Sequence, residues 1–415
     1  MQFCCNFMWT ITFVCGIMFH EVIESFLLGL SCGDFILTEL YSFFAFGLTS
    51  IVTLQTPKIR IVKGIDMKNE ICNNRDRQEL SNCTFIKTVL MLIVVIYHCI
   101  VFWTGTWFTK NPVYESNILS IIATWMNSFH IYGFALVSGY LFFFLKHEKN
   151  RYSTFSLFAV NKAKRLLLPY VFVSVIWVIP FAVYYFQYDV IEIIKRFVLG
   201  TSPSQLWFLL MLFCVFMTFH PLSSFFEKHN IGGAIVVIVF YGIGLVGSRV
   251  LPNIFQVFRA CTYIPLFWLG FKIRQYGSQL MMRIPAVIWV ATDVLLFAII
   301  QYLSRFDGII FKLLNLGLGF VLHIIGALMS FVVLQKIADK VKWKESKVFG
   351  FLGKNSMPVY LFHQQVIYMF VTMLNGLINP YLHAGLNVIG AMVVSLLISA
   401  ILMKFKWTRT MIGEK

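Results

Sequence analysis

His98 lies inside an apolar stretch, Thr84 to Phe108, long enough to cross a bilayer, and Lys87 stands eleven positions before it. At about 100° per residue eleven steps come to roughly 1100°, about 20° past three full turns, so both side chains share one helix face. A proton-handling imidazole and a fixed cation then line the same wall. With a rise of about 1.5 Å per residue they stand roughly 16 Å apart along the axis, which puts Lys87 near the membrane edge and His98 near mid-depth. An ionisable group at that depth costs a few kcal/mol to insert and usually faces a cavity or the bundle interior. Its presence is therefore a functional signal.

Two more histidines are candidates for the same polar cavity. His130 belongs to Ser128-Phe-His-Ile-Tyr-Gly-Phe-Ala-Leu-Val-Ser-Gly-Tyr-Leu-Phe-Phe143. His363 closes Gly353-Lys-Asn-Ser-Met-Pro-Val-Tyr-Leu-Phe-His363, one to two turns into a helix with Ser356 as its N-cap and Pro358 in its first turn. Either could orient a carbonyl, hold a hydroxyl or hydrogen-bond across helices. Ser138-Gly139 reads as a close helix crossing of small residues; the Gly-x-Ser-x-Gly context of a serine nucleophile is missing. Asp293 and Arg259, each inside an apolar stretch like His323, could form a structural bridge. His20, His147, His220, His229 and His383 fall near span ends or in the N-terminal region and receive no role. No His-x-x-x-His or Glu-x-x-His spacing occurs on one helix, so no metal is expected.

The elements that must position these groups are membrane helices. Of 415 residues 59% are hydrophobic, 17% aromatic and only 13% charged, which no soluble fold of this size tolerates on its surface. Ten spans are expected, at 84–108, 117–145, 168–188, 205–226, 232–248, 255–275, 284–303, 314–335, 355–377 and 384–404. The alternation of a transmembrane barrel is absent. The fold class is all-α, a polytopic transmembrane helical bundle of ten helices, with up to two extra N-terminal helices.

If the segment before Thr84 is cytoplasmic, the inner connections hold 26 of the 34 Lys and Arg residues and the outer side 6, with Lys87 and Arg259 inside spans. This asymmetry follows the positive-inside rule and puts both ends of the ten-helix unit in the cytoplasm. Topology and anionic lipid headgroups thus explain the net charge of +16, and no nucleic-acid partner is inferred. The nine cysteines show no paired spacing, and the sequon Asn82-Cys83-Thr84 falls on the cytoplasmic side.

The first 56 residues are apolar but interrupted by Glu21, Glu24, Asp34 and Glu39, without the basic start of a signal peptide. They read either as a hairpin of two helices or as an upstream extension of a protein starting near Met67. Residues 57–83 read as a polar cytoplasmic linker, 84–404 as the membrane domain and 405–415 as a short cytoplasmic tail. The longest inner connections, Lys146 to Arg165 and Lys336 to Lys354, are also the most basic. Connections this short leave no room for a soluble catalytic domain. Any chemistry falls to side chains projecting into a cavity between helices and to basic inner loops.

Five segments together resemble the membrane-bound acyltransferase-3 family of O-acyltransferases. They are Tyr97-His98 with a basic residue eleven positions earlier, the His130 segment, Lys162-Ala-Lys-Arg165-Leu-Leu-Leu-Pro169, Leu206-Trp207-Phe208-Leu209 and the His363 segment. They occur in the family's order over about Thr84 to Lys404. The family usually has Arg where this chain has Lys87, and often His where it has Gln205; Lys keeps the charge but loses the bidentate fork.

The resemblance implies transfer of an acyl group, usually acetyl from cytosolic acetyl-coenzyme A, to a hydroxyl of a cell-surface polysaccharide or lipid-linked glycan at the plasma or inner membrane. His98 would be the base for the sugar hydroxyl or would take the acyl group covalently. Lys87, His130 and His363 are the other catalytic candidates. Lys87, Lys162, Lys164 and Arg165, at the cytoplasmic edge of the first and third spans, would receive the phosphates of acyl-CoA. A transporter or flippase for a glycan or lipid-linked intermediate is the competing class, since ten helices with buried polar groups suit that equally. A flippase, however, needs no basic cluster on one side joined to a buried base. A non-catalytic scaffold would leave His98 without a purpose.

Overall fold

The computed structural model describes residues 67–152, 154–341, 343 and 346–414, with side chains from Arg77 onward. The two readings of the N-terminal region concern residues outside those described. The chain divides into two compact units, residues 1–72 with 182–187, and residues 73–181 with 188–415. In the first, the described residues 67–72 and 182–186 are helical. The second holds the remaining helices and every candidate residue.

In chain order the helices are α1 (Met67–Ile100), α2 (Asn117–Asn127), α3 (His130–Phe143), α4 (Phe155–Val173), α5 (Ile179–Phe186), α6 (Val190–Ile193), α7 (Trp207–Lys228) and α8 (Asn230–Val250). They continue as α9 (Val257–Tyr276), α10 (Gln279–Arg283), α11 (Ala286–Leu303), α12 (Ile309–Lys340), α13 (Lys347–Leu374), α14 (Pro380–Leu402) and α15 (Lys406–Met411). The chain is thus an all-α polytopic protein. Nine helical segments among the described residues are long and apolar enough to cross a membrane. The ninth expected span, 355–377, forms as α13, 28 residues long, but stands outside those nine. Its polar Asn355, His363, Gln364 and Gln365 are buried against neighbouring helices instead of meeting lipid.

Side-chain contacts fix the directions. Glu79 meets Tyr140 while Tyr97 meets His130, so α1 and α3 are antiparallel. Tyr132 meets Tyr263 and Tyr140 meets Arg274, so α9 runs parallel to α3. Phe208 meets Phe134 and Phe216 meets Phe142, giving α7 the same sense. His363 meets His98 and Phe349 meets Phe85, so α13 runs with α1. The bundle therefore has a His98 end and a Glu79 end.

Two features hold its centre. At Ser138-Gly139, α3 crosses α9 so closely that a Cβ on Gly139 would sit 1.8 Å from the Phe267 carbonyl oxygen, and one on Gly270 1.9 Å from that of Leu136. Backbones approach this way only where both positions are small. At the Glu79 end, Arg274 donates to both carboxylate oxygens of Glu148 (2.6 and 2.8 Å) and to the Tyr140 hydroxyl (3.0 Å), which donates to Glu79 (2.5 Å). One bidentate guanidinium thus ties α1, α3 and α9 together.

Several expected boundaries move. The linker at 57–83 is helical from Met67, because Glu79 and Asn82, which donates to Asp339 at 2.8 Å, give its polar face partners inside the bundle. The first span ends at Thr104, not Phe108: after a 3-10 turn Gly105 adopts φ 73 and the chain leaves the helix. His98 accordingly lies in the last turn of α1, close to where the regular helix ends. The second span is two helices, since Ser128 and Phe129 break the run before His130. The third begins at Phe155, capped by the Thr154 hydroxyl, so Lys162, Lys164 and Arg165 stand on a helix and not in a loop. α13 is capped by Ser346, not Ser356, and Pro358 lies inside it, which puts His363 sixteen positions past the first residue, Lys347. Asp293 and Arg259 do not pair: Asp293 accepts a 2.8 Å bond from the Trp125 indole, and Arg259 lies over Trp207.

Gly270→Leu should lower the melting temperature of the detergent-solubilised protein, with an overpacking cost of about 3 kcal/mol or more, because the obstructing atoms are backbone. Unchanged melting in a thermal scan would show that the two helices do not cross there.

Candidate active site

Each of the three histidines is oriented by its own helix. Side chains on a helix lean toward the preceding turn, so a histidine ring can reach a carbonyl three or four residues back. His98 Nδ1 lies 3.0 Å from Val94 O, His130 Nδ1 2.5 Å from Met126 O, and His363 Nδ1 2.8 Å from Tyr360 O and 3.2 Å from Val359 O. Carbonyls only accept, so each ring carries its proton on Nδ1 and presents the lone pair of Nε2.

These assignments decide how the rings meet. His363 Nε2 lies 3.1 Å from His98 Nδ1. Since His363 Nε2 bears a lone pair, His98 shares its Nδ1 proton between Val94 O and His363. The Nε2 of His98 is left unprotonated, the arrangement of a general base held by an orienting partner. Tyr97 packs against both His98 and His130, with ring centroids 4.9 and 4.7 Å away. His130 and His363 are buried, while His98 is half-buried. Trp107, 6.0 Å from the His98 ring, stacks on Tyr368 at 4.7 Å beyond it.

A cavity of about 180 Å³ of solvent-accessible volume approaches this group from the Glu79 side. One water needs only about 10–15 Å³ on that measure, so the space exceeds a packing defect. Lys87, Met91 and Val94 line it along α1, and His98 is the next residue on that face. Lys162 and Arg165 from α4 join Lys87, and Ile131, Phe134, Leu209 and Leu212 make the middle apolar. Val94 and Tyr360, whose carbonyls hold the His98 and His363 protons, are both in the lining.

The structure therefore brings Lys87, Lys162 and Arg165 to one cavity and His98, His130 and His363 to one cluster. Lys164 is exposed and outside the lining. Lys162 lies 3.7 Å over the Phe216 ring, a cation on an aromatic face. The tail reaches the same place: α15 packs on α4, and a Cβ on Gly413 would come within 3.0 Å of Arg165 O. Burial raises the Glu414 carboxyl above its usual range, and the nearby Arg165 opposes that rise.

Two supports were not apparent from sequence. Gln205 is buried and exchanges amide bonds with Gln365 at 2.8 and 3.1 Å, also donating to Leu361 O at 2.8 Å. The Tyr360 hydroxyl donates to Gln205 O, so this glutamine steadies the turn that carries His363. Tyr360 three positions before His363 was the available signal. No signal joins Gln205 to a residue 160 positions away.

A family profile described as "Acyltransferase domain", that of the acyltransferase-3 family, matches residues 82–404. No curated protein and no solved structure matches the chain. With most of its length covered, the chain belongs to the acyltransferase-3 family and is a multi-pass membrane acyltransferase.

His363→Ala should lower kcat about 100-fold, since the His98 proton loses its partner, while the affinity for donor stays within a factor of about two. Turnover measured beside calorimetric donor binding tests this; unchanged kcat removes His363 from the site.

Proposed function

We propose that the protein is an O-acetyltransferase that moves an acetyl group from cytosolic acetyl-CoA to a hydroxyl of a cell-surface polysaccharide or its lipid-linked precursor. It would work in the plasma or inner membrane with both ends of the ten-helix unit in the cytoplasm. The observation that carries this reading is the cavity itself, with three cations toward one end and, toward the other, the carbonyls that hold His98 and His363.

Lys87, Lys162 and Arg165 would bind the phosphates of the donor, and the apolar middle would take the pantetheine arm. Lys87 and His98 stand eleven residues apart on α1, about 16 Å along the axis, which an extended pantetheine arm can span. The thioester carbonyl then lies near His98. His98 Nε2 takes the proton of the acceptor hydroxyl as its oxygen attacks that carbonyl; the C–S bond breaks, and the coenzyme thiolate leaves with the proton returned by His98. Val94 O and His363 Nε2, both acceptors of the Nδ1 proton, stabilise the imidazolium that forms in between. Positive residues concentrated in the inner connections support donor entry from the cytosol.

Mass spectrometry of the surface glycan should show an ester-linked acetyl group that is lost with His98→Ala although the variant inserts normally; a persisting acetyl would remove His98 as the base. Lys87→Ala should raise KM for acetyl-CoA about tenfold but leave the reaction with acetyl-pantetheine, which lacks the phosphates, unchanged. Equal effects on both donors would place Lys87 in support of the fold instead of phosphate binding. Lys164→Ala should alter neither.

A further inference from the structure

Arg259 is a cation inside a span with no ion pair among the described residues. Its guanidinium carbon lies over the Trp207 ring, 4.4 Å from the centroid, and the residue is exposed. Stacking satisfies the face of a guanidinium and leaves its edge, a planar fork of N–H donors, to meet a carboxylate or phosphate. At the end of a span an exposed guanidinium reaches the interface, where its donors are open to an anion.

Its position is enforced. Phe255 and Gln256, immediately before α9, both adopt the left-handed region, at φ 53 and 59, which costs non-glycine residues about 1 kcal/mol or more each. Buried Gln256 holds this turn by donating to Gly200 O (2.6 Å) and Thr201 O (2.9 Å), and Phe255 N donates to Leu199 O (2.7 Å). Asn253 Oδ1 accepts from Phe258 N (3.0 Å) and Arg259 N (3.4 Å), capping the first turn of α9 with Arg259 on it. A strained turn held this firmly fixes the direction in which α9 sets out.

That direction leads to the histidines. Trp207 lies 6.1 Å from Tyr263, which stacks on Tyr132 at 4.8 Å, two residues from His130. His130 in turn packs on Tyr97, the neighbour of His98. Arg259 thus begins a row of rings, through Trp207 and Tyr263 to Tyr132, that ends on the helix carrying His130, all at the His98 end of the bundle and away from the donor cations. A lipid headgroup anchor would need no such row. We infer that Arg259, stacked on Trp207, binds an oxyanion of the acceptor, a sugar carboxylate or a sugar phosphate, and that the acceptor glycan is therefore anionic. The inference deepens the O-acetyltransferase reading and rests on it for the identity of the ligand as acceptor.

The test is equilibrium binding to the purified full chain in phosphatidylcholine nanodiscs, where lipid charge stays constant. At least one of glucuronic acid and glucose 1-phosphate should bind about tenfold tighter than glucose or better, and the tighter of the two names the oxyanion. Arg259→Gln should abolish the preference, and Arg259→Lys should keep only part of it, having lost the fork. Arg259 is exposed, so both variants should elute as the wild type does on size exclusion. Equal affinity for the three sugars, binding of none, or a preference that survives Arg259→Gln overturns the inference. So does an effect of Arg259→Gln confined to discs containing phosphatidylglycerol, which would make the residue a lipid anchor. His98→Ala should retain the preference, so a failure of acetyl transfer and a failure of oxyanion binding are read separately.

Discussion

A helix can orient a histidine without help from any other element, and the candidate site depends on that. In hydrocarbon every N–H needs a partner, and a helical carbonyl keeps one lone pair after accepting from the residue four positions on. His98, His130 and His363 all place Nδ1–H on such a carbonyl, and so all three expose Nε2. The tautomers are thereby determined by α1, by the α2–α3 break and by α13, independently of ligand. The tertiary fold has only to bring two rings within 3.1 Å for one to orient the other. Without the carbonyls at Val359 and Tyr360, His363 could carry its proton on Nε2, and His98 Nδ1 would have to accept it, leaving His98 Nε2 protonated and unable to act as a base.

What brings the rings together lies mostly at the opposite end. The Arg274 cluster fixes α1 against α3 and α9, and the Gly139–Gly270 crossing sets how near α3 and α9 approach. Neither touches the histidines. From these anchors α1 and α3 extend as stiff rods to the His98 end, where the chain departs from regular helix at Gly105 and at Ser128–Phe129. Both departures lie beside the candidate histidines. α13 shows the same division along its own length: its buried amides and His363 make it the least lipid-like of the long helices, tolerable only at the centre of the bundle.

The all-α membrane fold and the shared face of Lys87 and His98 were legible because both derive from period and composition within single segments. Depth was not. The run through Phe102, Trp103, Trp107 and Phe108 is as apolar as a helix, and nothing in hydropathy marks Gly105 as the residue that ends it. Helix starts failed for a related reason: Ser356 with Pro358 has the chemistry of an N-cap, yet α13 has formed ten residues earlier and absorbs the proline, which buried neighbours allow. Long-range pairings were illegible altogether. Asp293 and Arg259 match in charge, but Trp125 and Trp207 claim them, and no spacing rule connects residues 168 or 52 positions apart.

The end of the cavity lined by Lys87, Lys162 and Arg165 has an electrostatic balance of its own. Three basic side chains lining one cavity disfavour one another's charge. Phe216 beneath Lys162 and Glu414 near Arg165 relieve part of this, but an aromatic face and a single carboxyl do not neutralise three charges. A polyanion entering the cavity would remove the repulsion and add its own attraction, so that in the proposed reaction affinity would be concentrated on phosphates remote from the reacting carbonyl. Affinity gained far from the reacting carbonyl can hold the thioester beside His98 without the site having to grip the acetyl group, and it acts equally on ground and transition states. In the proposed reaction the proton transfer itself would then fall to the His98–His363 pair. In the proposed reaction, separating holding from reacting along one helix face would let a donor on one side of the membrane meet an acceptor arriving from the other.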